Sequence, residues 1–262
     1  MAYPTPTEES NPAARLSRLI AKAMRTNDSS KSALEAWGDA LDIPTEGIGL
    51  ECTHDIAQLL TECTEEVRLL KLALRQQGVP EALYSQHISH VEHALSVTNL
   101  NAAWSTTVSN YLGSNVLLSL AWCSYVLPNE SVGATDDDLI GLAALLRELE
   151  DALQAPGLPE AVRAAFTKHL LGMQRAMKIF PVRGVKPMKE ASRAILADLN
   201  IDKDEIRDAA STADRSAMGN LGNSLFKAWK KTAEIAGDAD KIVKTGRQLV
   251  EFVSDAIDKL PA

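Results

Sequence analysis

His87-Ile-Ser-His90-Val-Glu-His93 is the densest cluster of metal-type ligands in the chain. On a helix His87 and His90 are neighbours, as are His90 and His93, but His87 and His93 diverge by roughly 120°. Zinc enzymes usually set two histidines four apart on one helix face, and no His-Glu-x-x-His pattern occurs here. The three histidines define a candidate site for a metal-dependent helical enzyme. The commoner outcome for such spacing is a polar helix face bonded to water and to neighbours. No nucleophile or phosphate motif accompanies them: Gly-x-Ser-x-Gly, Gly-x-Gly-x-x-Gly and Gly-Lys-Ser/Thr are all absent. No residue is singled out as catalytic, no cofactor is implied, and the chain leans away from being an enzyme.

A basic segment offers different chemistry. From Arg163 to Arg193 eight Lys and Arg residues stand against one acid, Glu190. Lys168, Arg175 and Lys178 fall on one helix face, Arg183-Gly184 lies in the turn beyond Phe180-Pro181, and Lys186 belongs to the same basic set. Such a patch suits phosphate, nucleic acid or an acidic partner. It lacks the interleaved aromatics that single strands stack on, and the acidic 130–151 region is an internal match for it. Further on, Leu225, Phe226 and Trp229 stand beside Lys227, Lys230 and Lys231. That basic amphipathic combination fits a partner groove or an anionic membrane surface. Glu234 and Asp238 weaken the membrane version.

The elements that carry these residues read as helices. Ala and Leu are abundant and aromatics make up 5% of the 262 residues, which favours helix over sheet. Asn11-Pro12 predicts an N-cap and first-turn proline, Ser30 a second cap, and Thr135-Asp-Asp-Asp138 a capping box. Ile56, Leu60, Cys63, Val67, Leu70 and Leu74 alternate steps of four and three, the stripe of a long amphipathic helix. A similar stripe runs through Val243, Gly246, Val250, Val253, Ile257 and Leu260. The expectation is an all-α protein of about 8–11 helices. Residues 1–10 read as a flexible leader, 11–200 as a main helical domain, and 201–262 as a helical extension packing on it or on a partner. Seams are expected at 128–135 and 200–218.

From 93 to 129 there is no Asp, Glu, Lys or Arg, in a chain of which 24% is charged. Charge is omitted for so long where it would be costly: a dry core, a partner's surface or a bilayer. The most apolar window, 108–127, still holds Ser109, Asn110, Ser114, Asn115, Ser119 and Ser124, and no basic residue flanks it. It predicts one central apolar helix over about 101–127, with Val116, Leu117, Leu120, Trp122 and Val126 shielded from water.

Net charge is −8, which argues against general nucleic-acid affinity, although 158–262 holds 18 basic and 14 acidic residues. Three cysteines and the lack of an apolar leader point to a reducing cytoplasm, and the Ala/Leu/Arg-rich style to a bacterial one. The functional expectation is a non-enzymatic helical interaction module (adaptor, regulator or immunity-type partner) that binds a protein or its own copy. The alternatives are a membrane-acting effector that releases 101–127, nucleic-acid binding through 163–193, and a metal-dependent enzyme at 87–93.

Overall fold

Asn11 and Pro12 start the first helix as their types dictate. The Asn11 carboxamide oxygen accepts from the Ala14 amide, and Pro12 occupies the first turn, where no amide hydrogen is needed. The computed structural model describes residues 11–26, 30–44, 49–130, 134–201, 208 and 212–237. Among them are ten α-helices, no strand, and a single isolated bridge between Ser32 and Ala103. The chain divides into two compact units, one of 1–131 with 181–184, the other of 132–180 with 185–262.

In the first unit α1 (Pro12–Ala23) packs on α2 (Ala33–Ala40), α3 (Leu50–Gln76) and α6 (Ser114–Val126), while α4 (Ser85–Ala94) packs on α5 (Trp104–Tyr111) and α6. The cap of α2 is Ser32 and not Ser30, because only Ser32 has a glutamate three residues on. Ser32 and Glu35 satisfy each other's backbone amides reciprocally. The entire 56–74 stripe of α3 is fully buried. Trp37 and Trp104 meet edge-to-face at 5.4 Å in the same core, and Trp37 Nε1 donates to the Ala94 carbonyl at 3.2 Å.

The charge-free run forms two helices, not one. Leu112 leaves helical geometry (φ −113°, ψ 39°) and Gly113 is extended, so α5 ends and α6 starts afresh. The β-branched and polar Ser105-Thr-Thr-Val-Ser-Asn110 is a weak helix former, and the break lets Leu112 enter the core completely. Of the residues expected to be shielded, Val116, Leu117 and Leu120 are buried and Val126 is half-buried, but Trp122 is exposed.

The second unit contains α7 (Asp136–Leu153), α8 (Glu160–Arg183), α9 (Lys186–Ile201) and α10 (Arg215–Ile235). Thr135 and Asp138 form the expected capping box, and Lys231 Nζ reaches Asp138 Oδ1 at 2.6 Å. That bond, with those from Thr135, holds the Asp138 carboxyl well below the usual range. Arg163 closes the α7–α8 turn by donating to the Leu153 carbonyl. Leu142, Leu146, Leu149, Phe166, Met173 and Trp229 build the core.

Pro181 lies inside α8, where it removes one helix hydrogen bond, and the last residues of that helix belong to the first unit. The division near 131 falls in one expected seam. In the described part of the segment after 200, α10 packs directly on α7 and α9 within the second unit. Its Gly222 and Ala228 are buried, and small side chains there allow close approach. The 1–10 leader and the 243–260 stripe lie outside the described residues.

The thiols give a direct check of the first unit's packing. Cys63 is fully buried, and burial together with Glu66 and Glu62 pushes its thiol far up. Burial pushes Cys123 up to about 11, whereas Cys52 is partly open to water. In the native protein at neutral pH, Cys52 alone should react quickly with a disulfide reagent, and Cys63 and Cys123 only after unfolding. Two fast thiols in a stoichiometric titration would contradict the packing of α3 or α6.

Candidate docking surface

Helix α6 is apolar on both sides. Val116, Leu117, Leu120 and Cys123 face the core, while Leu118, Trp122 and Tyr125 remain 60%, 40% and 82% exposed. Their steps of four and three place them on one stripe, which Asn115 extends by a turn. The other three tryptophans, Trp37, Trp104 and Trp229, are buried. A contiguous apolar stripe rimmed by small polar residues is unusual on a surface without a partner.

Two buried polar residues of α1 hold this helix. Asn11 caps its own helix and also donates Nδ2 to the Ser124 carbonyl at 2.9 Å and to that of Leu127 at 3.5 Å. These are among the carbonyls that the end of α6 leaves unsatisfied. Arg15 donates Nη1 to Glu130 Oε2 at 2.6 Å, just beyond α6, and Nε to the Val182 carbonyl at 3.0 Å. Its Nε and Nη2 also bond Glu66 Oε1. Arg183 completes the network: Nη1 bonds Glu62 Oε2 at 2.7 Å, and Nε faces Glu66 Oε2 at 3.3 Å as an ion pair outside hydrogen-bonding angles.

Arg15 is 5% exposed and Glu66 is 1% exposed. Burial pushes the Glu66 carboxyl up against the opposing pull of Arg15 and Arg183. Burial alone would lower Arg15, but its hydrogen bond to Glu130 and the charges of Glu66 and Glu130 hold it above its ordinary value. The guanidinium thus stays charged, and the more exposed Glu130 supplies much of its counter-charge. Gly184 makes room for it: φ is +61°, and a Cβ there would lie 2.8 Å from Arg15 Nη1. Gly184→Ala should therefore cost about 1–3 kcal/mol from the left-handed backbone and the clash together. Urea unfolding measures it, and an unchanged midpoint would mean that Arg15 does not fill this space.

The residues expected from sequence to do chemistry are placed differently. His87, His90 and His93 share α4, where the His87 and His90 rings meet edge-on at 6.5 Å, and Tyr111 of α5 stacks on His93 at 5.4 Å and meets His90 edge-on at 6.4 Å. Among the described residues no group of three or more His, Cys, Asp or Glu could hold a metal ion. The basic set is split. Lys168 pairs with Asp198 at 2.7 Å, Arg175, Lys178 and Lys186 are exposed in the second unit, and Arg183 is engaged in the buried network of the first. Leu225 and Trp229 are buried in the second unit, Phe226 is half-buried against Trp229, and Lys227 and Lys230 are exposed.

No local pattern in the sequence joins Arg15 to Glu66 and Glu130, which lie 51 and 115 residues from it. A signal existed for Glu66, which lies three residues after Cys63 and four before Leu70 and so falls beside the buried stripe of α3.

These elements define an all-α protein whose described helices are organised in two units. No protein-family model matches the chain, and neither a curated protein nor a solved structure is significantly similar to it.

Proposed function

We propose that this protein is a non-enzymatic α-helical interaction module that docks a protein partner on the outer face of α6. The exposure of Leu118, Trp122 and Tyr125 within a run free of charge carries the reading. Aromatic anchors with few charges are the composition of an interface centre. The buried Asn11 and Arg15 contacts fix the end of α6, so the face is presented on a rigid element. Three unpaired cysteines agree with a reducing compartment, and with the composition they favour a bacterial cytoplasm.

The other readings have less support. No helix among the described residues is long and apolar enough to cross a membrane, and α6 has 13 residues where a span needs about 20. A nucleic-acid surface at 163–193 would lose Arg183 to the first unit's network. A metal-dependent enzyme at 87–93 would need the three histidine rings brought together.

Site-specific photo-crosslinking tests the proposal. A benzophenone side chain at 122 or 125 should give a discrete protein adduct in cells, and the same group at exposed Lys178 should not. No adduct from 118, 122 or 125 would sink the reading.

A further inference from the structure

Taking α6 as a docking face, and resting on that reading, we infer that its occupant is α6 of a second copy, paired antiparallel about a two-fold axis. Along this stripe the exposed positions are 115, 118, 122 and 125, steps of three, four and three, with Ser114 exposed beside it in the first turn. Such a seam receives one helix, since each residue fits between those of a facing helix with the same alternation. A sheet edge or an irregular peptide would not require it.

Charge then selects among helices. A two-fold contact sets identical patches against each other, so a charged patch meets its own sign. The chain carries −8 overall, yet 93–129 is free of charge, and the exposed face of α6 lies within that run. This face can approach its own copy without like-charge repulsion.

The order of residues is also self-complementary. An antiparallel pair centred at position 120 sets Leu118 against Trp122 of the other copy, twice. It also sets Asn115 against Tyr125, twice. The first pair packs an aliphatic side chain on an aromatic one. The second gives the amide and the phenol hydroxyl mutual hydrogen-bond partners. Ser119 and Ala121 flank the centre and are small enough for close approach. The area limits the strength. Trp122 and Tyr125 expose on the order of 200–300 Å² together, given the size of aromatic side chains. A standard interface covers about 800 Å² on each partner, so the pairing is a weak, reversible dimer.

Sedimentation of the full chain from about 1 to 500 µM, a range suited to such weak pairing, should show a concentration-dependent monomer–dimer equilibrium. Leu118→Glu and Trp122→Lys should each weaken it at least about tenfold, because a lone charge must be desolvated in the seam. Both positions are exposed, so circular dichroism should be unchanged. Mixed in equal amounts, the two variants should dimerise again. The carboxylate introduced at 118 of one copy then faces the ammonium introduced at 122 of the other, while the second pair is again Leu118 with Trp122. A wild type that stays monomeric throughout overturns the inference, as does a dimer that survives both substitutions or a mixture that fails to recover. A monomer whose position 122 crosslinks to a different protein rejects self-pairing and keeps the docking face. A monomer without any adduct rejects both.

Discussion

Replacing Arg15 with methionine is expected to destabilise the first unit by about 3–5 kcal/mol, the cost of breaking a buried ion pair from one side. Methionine refills most of the volume, so the loss is chiefly electrostatic. Glu66, 1% exposed, would keep only the 3.3 Å approach of Arg183 Nε, and the Val182 carbonyl and Glu130 would each lose a donor.

The sign of the pH dependence follows from the same geometry. Burial already pushes the Glu66 carboxyl up, and without Arg15 it rises further. A raised carboxyl contributes stability that is present below the unfolded carboxylate range, near 4.3, and is lost as pH rises through the folded value. The deficit of Arg15→Met relative to wild type should therefore grow from about pH 4 to pH 7. Hydrogen exchange of first-unit amides measures this locally. The double variant Arg15→Met/Glu66→Met should recover much of the loss, because no isolated charge remains. A deficit independent of pH, or no recovery in the double variant, would assign the effect to packing. Because Arg15 and Asn11 hold the end of α6, Arg15→Met should also speed exchange at Ser124–Leu127.

Local signals in the sequence translated well where each residue's role depends on near neighbours. The Asn11-Pro12 start, the Thr135–Asp138 box and the 56–74 stripe of α3 all follow from spacing within one helix, and each stands as expected. What failed depends on packing from elsewhere in the chain. An apolar helix such as α6 carries no pattern that marks its outer face, so Trp122 could not be separated from Leu120 by composition. Arg183 looked like part of a basic face because its charge is local. Its partners Glu62 and Glu66 lie more than a hundred residues away on α3. The histidines were correctly placed on one helix, but the insertion of Tyr111 from α5 is a tertiary fact. The break at Leu112–Gly113 was legible in principle, since the glycine follows six polar or β-branched residues, a tyrosine and a leucine.

Trp229→Ala is the companion experiment in the second unit and should cost about 3–5 kcal/mol, as for large aromatic truncations in a core. Trp229 is 1% exposed, with Leu225 and Ala228 fully buried on the same helix. Its Nε1 donates to the Ser192 carbonyl of α9 at 3.3 Å, so truncation leaves a cavity and a buried acceptor without its donor. Two controls divide these causes. Trp229→Phe keeps an aromatic ring but removes the donor, and should cost roughly 1–3 kcal/mol, the desolvation of one unsatisfied group. Lys230→Ala, one residue on, removes a half-exposed ammonium 3.9 Å from Glu234 and should change stability by less than about 0.5 kcal/mol. Urea unfolding with exchange readouts in α7 and α9 reports all three. If Trp229→Ala proved as harmless as Lys230→Ala, the amphipathic reading of 225–230 as an outward face would return, and α10 would have to be turned about its axis. The buried Trp229 leaves α6 as the helix whose tryptophan faces outward, and so the two substitutions should split by readout: Trp229→Ala lowers stability and Trp122→Ala lowers association.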